Sequence, residues 1–211
     1  MARGSCFDLW RRRIYHERLA EFSRERLDGR PIPGDLRELL VAQWEGRTDF
    51  THLLDLEFFE TGEVHPLLDT SYRSEKELAD PESQAVDAGV AKMARYVKLV
   101  AKGGKGWMGY WLHPDEPADR AWPLIELDTE FSFWGLAGLT LTEGAAAAQA
   151  SYQDEPDERI AFTHLAARLA ELGLPPSTRD YDALDDTEYT VEPEQLMKEL
   201  VEAERETRGL N

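Results

Sequence analysis

The chain has 211 residues, 42 of them acidic and 24 basic, so its formal net charge is -18 with histidine neutral. A chain of this length can bury a core without metal or disulfide cross-links, and its 6 Trp, 7 Tyr and 8 Phe residues argue against wholesale disorder. Because so acidic a surface repels phosphate groups, composition disfavours both nucleic-acid binding and docking on anionic membranes.

The amino-terminal sequence carries no targeting signal that we recognise. Phe7 to Trp10, followed by three arginines, is too short and too polar for the apolar core of a signal peptide, and no stretch approaches the roughly 18 apolar residues of a membrane span. The single cysteine, Cys6, cannot form an intrachain disulfide or a cysteine-based metal site. These features predict a cytoplasmic protein.

The first predicted elements are two helices and a strand. Apolar spacing predicts a helix over 15–27. A second helix is predicted to begin near Asp35, whose side chain would cap the free amides, with Glu38 three residues on as in a capping box. Alternating apolar residues within 50–59 predict a strand.

The middle of the chain has two interpretations. Asp80 and Pro81 begin a helix, and apolar spacing alone would extend it to the glycines at 103 and 104. Alternatively, the helix ends near Ala94, and a strand over 96–101 turns through 102–105 into a second strand over 107–112. We favour this hairpin because β-branched and aromatic residues flank a glycine-rich turn. With a third strand over 122–128, it forms an antiparallel meander.

Helices dominate the rest of the chain. An alanine-rich helix is predicted over 139–150 with Thr142 as its cap, and a further helix starts within 154–158 and ends at Gly173. Residues 177–193 are predicted to be a linker or surface loop. A last helix over 194–207 is predicted to bury four apolar residues: Leu196, Met197, Leu200 and Val201.

These elements predict an α+β fold, with a curved antiparallel sheet built around the central meander and flanked by helices. Residues 1–150 would form this domain, and 151–211 would be a helical carboxy-terminal extension, packed on it or appended to it. Alternation places Trp107 and Trp111 on one face of the sheet and Tyr110 on the other. We therefore expect at least one aromatic pair on a face that helices do not cover.

No catalytic motif is present. The five histidines do not pair at the spacing of three or four residues that places two metal ligands on one helical face. The glycines around Lys105 lack the spacing of a phosphate-binding loop. These observations predict neither a metal site nor a cofactor.

One group of titratable residues could carry chemistry. Its members cluster near predicted strand ends: His113, Asp115, Glu116, Glu126, Asp128 and Glu130. Such carboxylates could form an acid and base pair or hold a hard divalent cation. In a chain where one residue in five is acidic, solvated loop charges explain the grouping better.

The order of elements resembles the SMI1/KNR4 superfamily, also called SUKH. The resemblance rests on 32–40 as a proline followed by a short amphipathic helix, on the hairpin 96–112, and on the strand within 123–130. It covers about residues 30–150, and the chain departs from the pattern by a long insert over 59–94 and a helical tail. The resemblance implies an α+β fold around a curved antiparallel sheet. It also implies an immunity protein, because many bacterial members resemble proteins that neutralise a toxin encoded beside them.

The resemblance and the acidic surface together predict a non-enzymatic protein that binds and occludes a cognate toxin, with a basic toxin favoured by charge. The predicted contact residues combine one aromatic anchor with carboxylates: Trp111, Asp115, Glu116, Glu126, Asp128 and Glu130. Two alternatives stay open. One is a small hydrolase using His113, Asp128 and Glu130, and the other is a regulatory scaffold protein with an endogenous partner.

Overall fold

The computed structural model describes residues 6–152 and 157–210, with side chains from residue 13 onward. Its helices are α1 (Cys6–Arg26), α2 (Gly34–Trp44), α3 (Phe50–Leu54), α4 (Glu75–Ala79), α5 (Pro81–Met93), α6 (Leu141–Tyr152), α7 (Glu158–Glu171) and α8 (Pro193–Thr207). Its strands are β1 (Glu57–Phe58), β2 (Val97–Gly103), β3 (Gly106–Trp111), β4 (Leu124–Asp128) and β5 (Phe133–Gly135). The strands form one open antiparallel sheet in the order β1-β2-β3-β4-β5, which confirms the α+β fold.

The predicted hairpin is the observed one. Helix α5 ends at Met93, and β2 pairs with β3 so that Lys98 lies opposite Tyr110. Gly109 permits this pairing, because a Cβ atom there would overlap the carbonyl oxygen of Lys98. The interpretation that continued α5 to the glycine turn is therefore wrong, since the apolar spacing of 97–100 belongs to a strand buried on both faces.

The edges of the sheet differ from the prediction. The first half of the predicted strand over 50–59 is helix α3, which begins where the Asp49 side chain accepts a hydrogen bond from the Thr51 amide. That helix ends at Asp55 in the left-handed conformation, which leaves only two residues for β1. At the other edge, β5 lies between the predicted strand over 122–128 and the predicted helix over 139–150, where no element was predicted.

Helices cover both faces of the sheet. One face packs against α2, α3, α6 and α7 through a cluster that includes Leu36, Phe50 and Tyr110. The other face packs against α5 and α8 through a cluster that includes Met93 and Trp111. The prediction of an aromatic pair on a face without helices is wrong, because Trp111 is 0% exposed beneath this second layer.

Two predicted helix caps are wrong. Helix α2 begins at Gly34 and has no side-chain cap, and Asp35 instead accepts a hydrogen bond from the amide of Leu141. Thr142 lies inside α6, where it is buried, and the Thr140 hydroxyl accepts the hydrogen bond from the Glu143 amide. The sequence could not show that one helix supplies the acceptor for another.

The carboxy-terminal segment packs on the remainder of the chain. Helix α8 lies on α5, where Lys92 and Glu204 form an ion pair of 2.6 Å, and its predicted apolar residues are half-buried there. The loop 177–193 is attached to the sheet, since the Tyr189 hydroxyl donates to the Leu124 carbonyl at 2.9 Å. Helix α7 is observed from Glu158, and the start predicted at 154–156 lies outside the described residues.

Candidate functional site

The structure does not bring the predicted cluster together. Asp128 lies opposite Gly106 at one end of the β3 and β4 pair, whereas the loop containing His113 follows Trp111 at the other end. The five residue steps of β3 separate these ends by about 17 Å. His113 therefore does not meet Asp128 or Glu130, and the arrangement expected for the hydrolase is not formed.

Glu116 holds the carboxy-terminal loop against the sheet. Its Oε1 atom accepts hydrogen bonds from Trp111 Nε1 at 3.1 Å and from the amides of Thr190 at 2.8 Å and Val191 at 3.4 Å. Its Oε2 atom is buried without a partner among the residues that the structure describes. This carboxylate therefore has a structural role, and neither of its oxygen atoms is available to bind a partner.

Asp128 organises the turn between β4 and β5. Its Oδ1 atom accepts hydrogen bonds from the amides of Glu130 and Ser132, both at 2.8 Å. Its Oδ2 atom accepts a hydrogen bond from Trp134 Nε1 at 3.2 Å. The Ser132 amide is the main cause of a lowered Asp128 pKa, so the group stays ionised. These bonds stabilise the left-handed conformation of Phe131 between the two strands.

The predicted contact surface is not one patch. Trp111 and Glu126 are 0% and 6% exposed, so the prediction that they contact a partner is wrong for this fold. Burial raises the pKa of Glu126, whose carboxylate lies 3.4 Å from the Tyr152 hydroxyl. Asp115 and Glu130 are exposed, but they stand at opposite ends of β3 and β4.

The described residues contain neither a metal-binding cluster nor a membrane-spanning helix. Within 6–152 and 157–210, no three His, Cys, Asp or Glu residues are placed to hold a metal ion together. Across the same ranges, no helix has both the length and the apolar character needed to cross a membrane.

A large groove lies between α1, α2 and β1, and we name it the β1 groove. Its volume is about 590 Å³. It is lined by Arg18, Glu21 and Phe22 from α1, by Leu40, Gln43 and Trp44 from α2, and by Glu57, Phe58, Phe59, Glu60 and Thr61. This size falls within the range of sites that take up ligands or side chains of a partner.

Among the aromatic side chains in the wall of the β1 groove, Trp44 is the most exposed. It is half-buried, with the Tyr15 ring stacked 6.1 Å away and the Arg18 guanidinium 4.1 Å from its ring centroid. Phe22 and Phe58 are each 8% exposed and join this wall to the core. Six of the eleven lining residues are polar or charged, so Trp44 is the aromatic side chain that a partner could contact.

Strand β1 is the edge strand of the sheet beside the groove. Among the described residues it pairs with β2 alone, where Glu57 lies opposite Lys102 and the Phe59 amide donates to the Val100 carbonyl. Because hydrogen-bonding direction alternates along an antiparallel strand, the backbone groups of Phe58 and Glu60 point away from β2. Glu60 is already bonded there, since its amide donates to Glu63 Oε1 and its carbonyl accepts from Arg26 at 2.9 Å. The opposite edge of the sheet differs, since the Thr187 hydroxyl donates to the Leu136 carbonyl beside β5.

The charge of the β1 groove is mainly negative. Glu21, Glu57 and Glu60 line it together with Arg18, whose guanidinium stacks on Trp44, and Glu57 also pairs with Lys102 at 3.4 Å. A second cavity, of about 310 Å³, borders the loop that contains Glu116, but Arg30 and Arg120 line it. Of these two cavities, the β1 groove is the one whose charge suits a basic partner.

Sequence reasoning missed the β1 groove because its residues come from three distant segments. The one signal in the sequence was a set of three aromatic residues, Trp44, Phe58 and Phe59, which are equally typical of a hydrophobic core. Comparisons of the chain with family models, curated proteins and solved structures found no match. The geometry of the groove is therefore the basis for a functional interpretation.

Proposed function

We propose that this protein is a non-enzymatic binding protein that captures a basic protein partner through the β1 groove. The observation that carries the proposal is a groove of about 590 Å³ in which the half-buried Trp44 ring lies with three carboxylates, Glu21, Glu57 and Glu60. Trp44 would supply affinity, and the carboxylates would select positive charge and accelerate association.

We further propose that the partner is a toxin and that this protein gives immunity to it in the cytoplasm. The resemblance to the SMI1/KNR4 superfamily supports this proposal, because many bacterial members resemble immunity proteins. The net charge of -18 also supports it, since a strongly acidic protein attracts a basic toxin over long range. Neutralisation would follow from steric occlusion of the toxin's active surface.

The test uses two variants with equal changes in charge. The rim variant carries Glu21→Gln, Glu57→Gln and Glu60→Gln. The control variant carries Asp119→Asn, Glu202→Gln and Glu206→Gln, three exposed residues outside the groove. Each protein is co-expressed with the products of the neighbouring genes, and growth and complex formation are measured.

We expect the wild-type protein and the control variant to protect cells from one basic neighbour and to co-purify with it. The rim variant should bind that neighbour about tenfold more weakly, since each lost charge removes a few tenths to 1 kcal/mol. The proposal would be contradicted if no neighbour bound, or if the rim and control variants bound equally well.

A further inference from the structure

The β1 groove holds a positively charged side chain of this protein itself. Arg18 is exposed on α1, and its guanidinium lies 4.1 Å from the centroid of the Trp44 ring. Resting on the proposed function, we infer that an arginine of the partner displaces Arg18 and takes its place on Trp44. Arg18 is then an intramolecular competitor at the site where the partner binds.

Trp44 is suited to bind a guanidinium. Indole attracts a cation more strongly than the other aromatic rings do, and this one is half-buried in the groove beside the Tyr15 ring. A planar guanidinium stacks on such a ring, whereas the ammonium group of lysine is a compact point charge. The contact with Arg18 shows that the groove has room for a guanidinium at this ring.

Two carboxylates of the groove remain for an incoming cation. Glu57 pairs with Lys102, but the carboxylates of Glu21 and Glu60 form no ion pair or hydrogen bond with any residue that the structure describes. A guanidinium carries five N–H donors, so it can stack on a ring and still donate to carboxylates at its edge. The partner's arginine should gain such bonds, which Arg18 does not make within the described part of the chain.

Arg18 can leave the ring at little cost. Its side chain is exposed, and among the described residues no ion pair or side-chain hydrogen bond holds it in place. An exposed contact between a cation and an aromatic ring changes an equilibrium by only about two- to fivefold. An arginine that also bonds to carboxylates should therefore displace Arg18.

Charge argues against a second copy of this chain as the occupant. The chain carries a net charge of -18, so two copies repel each other at moderate salt, whereas a basic protein is attracted. The occupant to which we commit is an arginine side chain of another protein.

The first experiment compares three synthetic nonapeptides with blocked ends. Valine alternates with arginine in one, with lysine in the second and with citrulline, the uncharged analogue of arginine, in the third. Because only arginine combines charge with a planar group, its peptide should bind at least about threefold more tightly than the lysine peptide. The citrulline peptide should bind at least about tenfold more weakly than the arginine peptide.

The second experiment removes the competitor. Arg18→Ala should bind the arginine peptide about two- to fivefold more tightly than the wild type, because the Trp44 ring is then free. Arg24→Ala is the matched control, since it removes an exposed arginine of the same helix that does not line the groove. It should change the affinity by less than about 1.5-fold at moderate salt.

NMR spectroscopy follows the displacement itself. In the free protein, the Trp44 ring current should shift the δ-methylene protons of Arg18 upfield. A saturating concentration of the arginine peptide should remove that shift, and cross-relaxation should connect the Trp44 ring with arginine protons of the peptide.

Any of four results would overturn the inference. Equal binding of the arginine and lysine peptides would leave capture of basic partners intact but exclude a guanidinium site. Binding by Arg18→Ala no tighter than by Arg24→Ala, or Arg18 protons that keep their shift in the complex, would show that Arg18 is not displaced. A dimer of the free protein that the arginine peptide dissociates would identify a second copy as the occupant. The fourth is no saturable binding of the arginine peptide up to millimolar concentration. Protection by a neighbouring gene product tests the proposed function separately, so the two failures are distinguishable.

Discussion

The carboxylate of Asp35, in α2, accepts a hydrogen bond of 2.7 Å from the backbone amide of Leu141, the first residue of α6. The first amides of a helix have no partner within it, so an acceptor from another helix satisfies a group that would otherwise be buried without a bond. This contact joins two helices that cover the same face of the sheet, near the buried Tyr110.

Replacing Asp35 tests the contribution of this contact. Asp35→Ala should lower the free energy of unfolding by about 1 to 2 kcal/mol, because the Leu141 amide loses its acceptor. Asp35→Asn should lower the free energy of unfolding by less, since the side-chain amide oxygen can still accept the hydrogen bond from Leu141. Urea unfolding measures both variants. Glu38→Ala, at an exposed position of the same helix, is the control and should change stability by less than about 0.5 kcal/mol.

Glu116 offers a second test, because it accepts three hydrogen bonds while its neighbour Asp115 is 72% exposed. Glu116→Ala should destabilise the fold by about 2 to 4 kcal/mol, since it leaves the Trp111 indole and two amides of the carboxy-terminal loop without an acceptor. Asp115→Ala should be nearly neutral. Equal effects of the two substitutions in urea unfolding would show that Glu116 does not hold the loop.

His65 makes stability depend on pH. Burial lowers its pKa to about 4, and the neutral ring accepts from the Leu67 amide and donates to the Val97 carbonyl. The unfolded chain binds a proton near pH 6.5 and the folded chain only near 4, so stability should fall between those values as pH is lowered.

The size of this loss should be about 2 kcal/mol, allowing for the partial exposure of the ring. An NMR titration of the His65 ring, with urea unfolding from pH 7 to 4, measures both the pKa and the slope. His65→Gln should flatten the slope in this range. A midpoint near 6.5 for the ring in the folded protein would contradict the account.

Gly89 sets how closely α8 approaches α5. A Cβ atom there would lie 2.7 Å from Val201 Cγ2 and 2.8 Å from Val201 Cα, so Gly89→Ala must displace α8. We expect a loss of about 2 kcal/mol and faster hydrogen exchange throughout α8.

Gly34→Ala is the matched control, because no atom of the described residues lies within 4 Å of the added Cβ at the start of α2. That substitution should be neutral or stabilise the protein by up to about 1 kcal/mol. If Gly89→Ala left the hydrogen exchange rates of α8 unchanged, the close contact at Gly89 would not determine how α8 packs on α5.

Local signals in the sequence predicted much of the fold. The hairpin followed from side-chain types on both sides of a glycine turn, and α5 from the Asp80 cap with Pro81 after it. The roles of acidic residues were not predictable in the same way, because they depend on distant partners. Asp35 was predicted to cap its own helix, but its carboxylate accepts a hydrogen bond from the amide of Leu141, 106 residues further along the chain.

The candidate site was harder to predict than the fold. Proximity in sequence placed His113 near Asp128, yet the antiparallel pairing of β3 and β4 sends them to opposite ends. The β1 groove instead joins residues around 18–22, 40–44 and 57–61, which only the tertiary packing brings together. Neither the composition nor the spacing of these residues distinguishes them from an ordinary core.

The most direct test of the account is the affinity of a basic probe, a synthetic nonapeptide of alternating lysine and valine with blocked ends, for the wild-type protein, the rim variant and the control variant. Titration calorimetry at rising salt measures this affinity. We predict that the rim variant binds about tenfold more weakly than the wild type at low salt, with a smaller loss as salt increases. The control variant should bind within about twofold of the wild type, because electrostatic effects decline with distance from the groove. Equal affinities of the rim and control variants, or an affinity that does not fall with salt, would contradict the claim that the β1 groove binds a basic segment.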